Sequence, residues 1–163
     1  MAQEYSFDVV SDFDHQELLN AVDQAQREIA NRYDFKNITK EIELEKETIT
    51  VTTAADMQLR AIKDILQSKF HKRGIDIKVL DPQKPEDAAK GDVRQVFKLR
   101  RGIKDELAKK LSKQIREKHP KAQVRIEGDK LRVSSKDKDL LQDVQATLKG
   151  LDVEVALQFN NYR

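Results

Sequence analysis

Val124-Arg125-Ile126-Glu127-Gly128-Asp129-Lys130-Leu131-Arg132-Val133-Ser134 reads as a β-hairpin. Val124, Ile126, Leu131 and Val133 alternate with Arg125, Glu127, Arg132 and Ser134, the period of strands with one buried face. Gly128-Asp129 is the turn between them. Before the hairpin, Leu107, Leu111 and Ile115 mark a helix that Pro120 blocks, and Val96-Phe97-Lys98-Leu99-Arg100 marks a strand. After it, a helix starts at Asp137 or Asp139, buries Leu141, Val144 and Leu148, and closes at Gly150. Val153, Val155, Leu157 and Phe159 read as a last strand. The order is β-α-β-β-α-β.

The same order is written once before. Tyr5, Phe7 and Val9 alternate with Ser6 and Asp8 in a strand, and Asp14 with Glu17 forms a capping box for a helix carrying Leu18, Val22, Ala25 and Ile29. Ile42 and Leu44, then Ile49 and Val51, make a hairpin around Glu45-Lys46-Glu47. Ile62, Leu66 and Phe70 mark a second helix ended by Gly74, and Ile75, Ile77 and Val79 a fourth strand. Residues 81–92 hold Pro82, Pro85 and Gly91, carry no hydrophobic period, and read as the linker. The predicted fold class is therefore α+β: two tandem ferredoxin-like domains, each an antiparallel sheet with both helices on one face. The expected boundaries are 1–90 for the first domain with its linker and 91–163 for the second. The pattern leaves one alternative open, in which the first strand crosses over to complete the other domain's sheet.

The two copies differ in charge. Residues 1–90 hold 13 Lys+Arg and 18 Asp+Glu; residues 91–163 hold 18 and 11. The overall net charge of +2 hides this polarity, which suits either an anionic partner or mutual attraction of the halves. With no cysteine, disulfides, thiolate zinc sites and cysteine nucleophiles are excluded. Neither a signal sequence nor an apolar run of about 20 residues is visible, so a cytoplasmic location without membrane contact is expected.

Strand alternation assigns the open faces. On the second sheet it places Lys98, Arg100, Arg125, Arg132 and Gln158; on the first, Asp8, Glu41, Glu43, Glu45, Thr50 and Thr52. Arginine forks match phosphate oxygens, so the basic face is the candidate phosphate site, against the alternatives of interdomain pairing and plain solvation. Arg101 joins it through the strand-to-helix turn Leu99-Arg100-Arg101-Gly102-Ile103, where free N–H groups can hold a phosphate. Tyr33, Phe35, Phe159 and Tyr162 are candidates for packing between domains or stacking on a base, and the tail is expected to be ordered near Tyr33 and Phe35. The candidate central strands TITVTT and KLRVSS carry no ring, which speaks against base stacking of the usual RNA-recognition kind. His15, His71 and His119 are scattered, and no metal site, cofactor, phosphate loop or activated nucleophile can be assembled, so no enzyme activity is expected.

Several stretches in this order also resemble the YajQ family of bacterial proteins: SFDVVSDFD, NAVDQAQREIANRYDFKN, KRGI at residues 72–75, RRGI at residues 100–103, IEGDKLRVSSKDKDLLQDV and the terminal QFNNYR. The resemblance implies tandem ribonucleoprotein-like domains and a nucleotide-binding role, with purine nucleotides, cyclic dinucleotides and tRNA as ligand classes. It supplies no catalytic motif. The expected function is non-catalytic binding of a nucleotide or nucleic acid through phosphates on the second sheet. The alternatives are a cyclic dinucleotide sensor that regulates a protein partner, and an adaptor that binds protein only.

Overall fold

Among the described residues, 3–163 of the computed structural model, the chain forms four α-helices and two antiparallel sheets, the make-up of two ferredoxin-like domains. β1 (Tyr5–Val10) leads to α1 (His15–Asn31), the hairpin β2 (Lys40–Leu44) and β3 (Thr48–Thr53), and α2 (Asp56–Lys72). Three strands follow: β4 (Leu80–Pro82), the two-residue β5 (Glu86–Asp87) and β6 (Val93–Leu99). Then come α3 (Asp105–Lys118), the hairpin β7 (Gln123–Glu127) and β8 (Lys130–Ser135), α4 (Lys138–Lys149) and β9 (Gln158–Asn160). Local chemistry sets the helix ends. Asp14 accepts from the Glu17 N–H at 3.2 Å and caps α1. After α2, Gly74 takes φ +76, and the Ile75 N–H reaches the Phe70 carbonyl at 2.9 Å, a Schellman ending.

Two strands exchange places. One sheet runs β7-β8-β1-β9, and the other β2-β3-β6-β4 with β5 beside β6. β1 thus sits between β8 and β9, and β6 between β3 and β4. Phe7 and Val9 pack with Leu111, Ile115, Leu131 and Val133. Phe97 packs with Leu18, Ile49, Ile62 and Leu66. Each of these side chains contributes about 1.5–3 kcal/mol by burial, so both exchanged strands are structural members of their adopted sheets.

The contiguous partition 1–90 and 91–163 accordingly gives way to two interleaved units. The β3 unit is Phe13–Arg100; the β8 unit is Arg101–Arg163 with the described residues up to Asp12. The stretch 81–92, expected as a linker, is ordered along β6 instead: Asp81 and Pro82 pair with Lys98 and Phe97, and Glu86 and Asp87 with Arg94 and Val93. Pro82 is tolerated because β4 is an edge strand.

Two strand limits also differ from the sequence pattern. Ile77–Val79 is a 3-10 turn, because Asp76 accepts from the Lys78 N–H at 2.9 Å, and the strand starts only at Leu80. β9 is confined to Gln158–Asn160 because its first residue already pairs with Val10, where β1 ends. Val153 and Val155 are buried without being strand. Among the described residues no helix is long and apolar enough to cross a membrane.

Candidate functional site

The helix-free side of the β8 sheet is built by register. Arg125 of β7 lies opposite Arg132 of β8, Arg132 opposite Asp8 of β1, and Asp8 opposite Asn160 of β9. One row of side chains therefore crosses all four strands. At its centre Asp8 is 1% exposed. Its carboxylate accepts from Asn161 Nδ2 at 2.8 Å, Arg132 Nε at 3.1 Å and Lys130 Nζ at 3.1 Å. Burial works to raise its pKa, but the bonds from Asn161, Arg132 and Lys130 outweigh burial and hold it at about 2. Asp8 is thus a fixed anion that clamps two cations. Its hydrogen bond pushes the Arg132 guanidinium further towards the charged form.

Arg132 has a second carboxylate, Glu127, at 3.7 Å. Arg125 is exposed and has no side-chain hydrogen bond or ion pair among the described residues. Two guanidinium groups directly opposite each other repel. Asp8 and Glu127 relieve Arg132, while Arg125 is left to solvent or to an anionic ligand.

Of the other candidate residues, Gln158 stays on this face, opposite Val10 at the end of β1, and Lys98, Arg100 and Arg101 are placed elsewhere. Lys98 and Arg100 do not share this face, because β6 belongs to the β3 sheet. Arg100 pairs with Asp81 at 3.0 Å and donates to the Lys78 carbonyl at 3.2 Å, so it ties the end of β6 to β4 and to the turn before it. Arg101 pairs with Asp12 at 2.7 Å, and Gln158 Oε1 accepts from the Asp12 N–H at 2.9 Å. These two residues fasten the segment that follows β1.

The turn at Gly102 also differs from its expected form. Its N–H groups do not face outward: Gly102 donates to Ser11 at 2.6 Å and Ile103 to Asp129 at 2.8 Å. Gly102 has φ +83, and an added Cβ would lie 2.7 Å from the Asp129 carboxylate, so the turn requires glycine and faces an acid.

The four aromatic candidates divide between the units. Phe35 is fully buried in the core of the β3 unit, while Tyr33, two residues earlier, is 88% exposed. Phe159 meets Phe7 edge-on with centroids 5.6 Å apart. Tyr162 stacks on the same ring at 6.2 Å, and its hydroxyl accepts from Gln145 at 3.2 Å. The tail is ordered, and it lies along β1. Ser6 and Arg163 exchange backbone hydrogen bonds at 3.0 and 3.2 Å, with Asn161 at φ +54 forming the bulge that shifts the register.

Sequence reasoning missed Asp8, Lys130 and Asn161 as members of the row. A lone carboxylate inside the apolar run Phe7-Asp8-Val9-Val10 was the available signal, since buried acids are rare unless paired. On the β3 sheet the matching face carries Glu41, Glu43, Thr50 and Thr52, with Arg94 and Lys98 supplied by β6. A cavity of about 400 Å³ lies over Glu41, Glu43, Thr50 and Thr52, and there Arg94 is paired with Glu86 at 3.0 Å.

A family model described as "Nucleotide-binding protein YajQ-like" matches residues 5–163. A protein from Synechococcus sp. (strain JA-2-3B'a(2-13)), named "Nucleotide-binding protein", is 56% identical over 163 residues, the whole of both chains. One of the same name from Chloroflexus aurantiacus (strain J-10-fl) is 51% identical over 165 residues, again covering both chains completely. A third, from Prochlorococcus marinus (strain MIT 9211), is 49% identical over 165 residues and covers both in full.

Proposed function

The chain belongs to the YajQ-like nucleotide-binding protein family, and on that premise we propose that it binds a nucleotide non-catalytically, through phosphate, on the open face of the β8 sheet. The observation that carries this reading is the Arg125–Arg132 register pair. A phosphate oxygen between the two guanidinium groups replaces their repulsion with charge-assisted hydrogen bonds. Arg132 is held rigid by Asp8, which reduces the ordering cost of binding. Arg125 is the mobile member that closes on the ligand. Around the pair, Ser6, Ser134, Gln123 and Asn160 offer neutral donors and acceptors to the rest of the nucleotide.

The face carries Arg125, Lys130 and Arg132 against Asp8 and Glu127, so its excess positive charge is small. Binding is then moderate and sensitive to salt. Arg125→Gln is the clean test, because Arg125 supports no other side chain. The expected loss in nucleotide affinity is about tenfold or more, since a charge-assisted bond contributes about 1.5–3 kcal/mol. Titration of purine mononucleotides, cyclic dinucleotides and tRNA against both proteins identifies the ligand class. Unchanged affinity for every ligand would remove the site from this face. The nucleotides are expected to be recovered intact after incubation with the protein.

A further inference from the structure

After an acidic first turn, residues 109–118 of α3 hold five Lys or Arg and one Glu. Lys109, Lys113 and Arg116 stand at i, i+4 and i+7, with Ser112 in the same row. This row lines a cavity of about 320 Å³ together with Glu117 and Ile126 of β7. Ser112 is 3% exposed, and its Oγ has no hydrogen-bond partner among the described residues. A buried hydroxyl without a partner costs about 1–3 kcal/mol, and it gains an acceptor when an anion enters. Arg116 is held at the cavity by its bond to the Val124 carbonyl at 3.2 Å. Lys113 has only a loose contact with Glu117, at 4.0 Å with both side chains well exposed. Lys109 has no ion pair or hydrogen bond among the described residues.

We propose that this α3–β7 groove is a second phosphate site, and that it takes consecutive phosphodiesters of a single-stranded polynucleotide. The row from Lys109 to Arg116 extends about 10 Å along the helix axis, longer than one phosphate and suited to a run of them. β7 is the edge strand, with Arg125 on its open side and Ile126 on its helix side. A strand held at Arg125 passes over that edge into the groove, where the half-exposed Ile126 packs against sugar or base. The continuation from Arg125 rests on the function proposed above; the groove itself does not.

The test is binding of oligouridylates and oligothymidylates of increasing length, beside the mononucleotides, at several salt concentrations. Affinity for the unaltered protein should rise with length for both sugars, which identifies the phosphate backbone as the bound group. Lys109→Gln with Lys113→Gln should abolish that rise and flatten the salt dependence by about 1.4 in log–log slope, while leaving mononucleotide affinity unchanged. Ser112→Ala should lower long-strand affinity without lowering thermal stability. If mononucleotides fail to bind but long strands bind through Lys109 and Lys113, the open-face reading falls and the groove stands. Affinity that does not rise with length, or a rise that survives the double substitution, overturns the proposal. So does a glutamate-rich peptide that binds as tightly as the long strand.

Discussion

The β3 unit holds 16 Lys+Arg and 16 Asp+Glu, whereas the β8 unit holds 15 and 13. Division of the same chain after residue 90 gives net charges of −5 and +7. The exchange accounts for the difference. Glu4, Asp8 and Asp12 travel with β1 to the basic unit, while Asp92, Arg94, Lys98 and Arg100 travel with β6 to the other. What remains basic is local, on the later turns of α3 and on β7 and β8, rather than spread over half of the chain. The two central strands also show why the exchange is favourable. β8 presents Lys130 and Arg132 to its neighbour. β1 supplies a carboxylate there, whereas β6, with Arg94 and Lys98 and no acid, would bring further positive charge.

The largest effect that can break this comparison is on folding of the separated units. Residues 13–100 contain every strand and helix of the β3 unit and should fold alone with a cooperative melt. Residues 101–163 lack the central strand β1, with Phe7 and Val9, and should not. Residues 91–163 have β6 in its place, which fits the apolar core but sets Lys98 and Arg94 near the β8 cations. Circular dichroism and thermal unfolding of the three pieces decide it. Cooperative folding of 91–163 would show that the contiguous halves are self-sufficient and that the Asp8 clamp does not select the strand.

The division between what was legible in the sequence and what was not follows the physics of each signal. Both hairpins and all four helices could be read because hydrophobic period and caps are local properties, as Val124–Val133 and Asp14 show. Strand partners are not local. Phe7 and Val9 carry the same period as Phe97 and Leu99, so either pair fits either core. Of the candidate phosphate ligands, Arg125 and Arg132 meet in the structure because they lie on one hairpin. Lys98 and Arg100 do not join them, because their placement depended on the unread partner choice. Gln158 and Arg101 are likewise occupied by Asp12, which no periodicity announces.

A smaller effect sharpens the contrast from within the β8 face. Asp8→Asn removes the carboxylate shared by Lys130 and Arg132 and should cost about 3 kcal/mol, the lower end for a broken buried pair, since both cations keep some solvent. The same change should tighten phosphate binding, because the face gains one net positive charge. The pH dependence has a definite sign. Asp8 has a pKa of about 2 against 3.8 for an ordinary aspartate, so its contribution of about 2 kcal/mol is fully present above about pH 4. It is lost as pH falls through about 2. Acid titration of the melting temperature should show this loss in the unaltered protein and not in Asp8→Asn. Parallel curves for the two would mean that Asp8 is not the charged anchor. The equivalent change on the other sheet, Lys98→Gln, lies on an exposed strand position and should shift stability by no more than about 0.5 kcal/mol.

Smaller effects than at Asp8 are expected at Asn161, where the tail and the clamp meet. Asn161 does two separable things: it takes φ +54 in the bulge, and it donates to the buried Asp8 carboxylate at 2.8 Å. Asn161→Gly keeps the left-handed backbone accessible and removes the donor. Its cost should be about 1.5 kcal/mol, the lower range for a hydrogen bond to a charged group, since Arg132 and Lys130 still hold the acid. Asn161→Ala removes the donor and leaves in the left-handed region a residue that tolerates it less well than asparagine or glycine, which adds about 1 kcal/mol relative to the glycine variant. In both variants the Asp8 pKa should move up towards the ordinary value, because Asn161 heads the hydrogen bonds that hold it down. Denaturant melts of the two variants at neutral pH, and again near pH 3, measure these effects. Equal stability of the glycine and alanine variants would mean that the bulge does not fix the backbone. An acid midpoint that stays at its original value in both would mean that the two cations alone set the charge of Asp8, and that the tail pairs with β1 without taking part in the clamp.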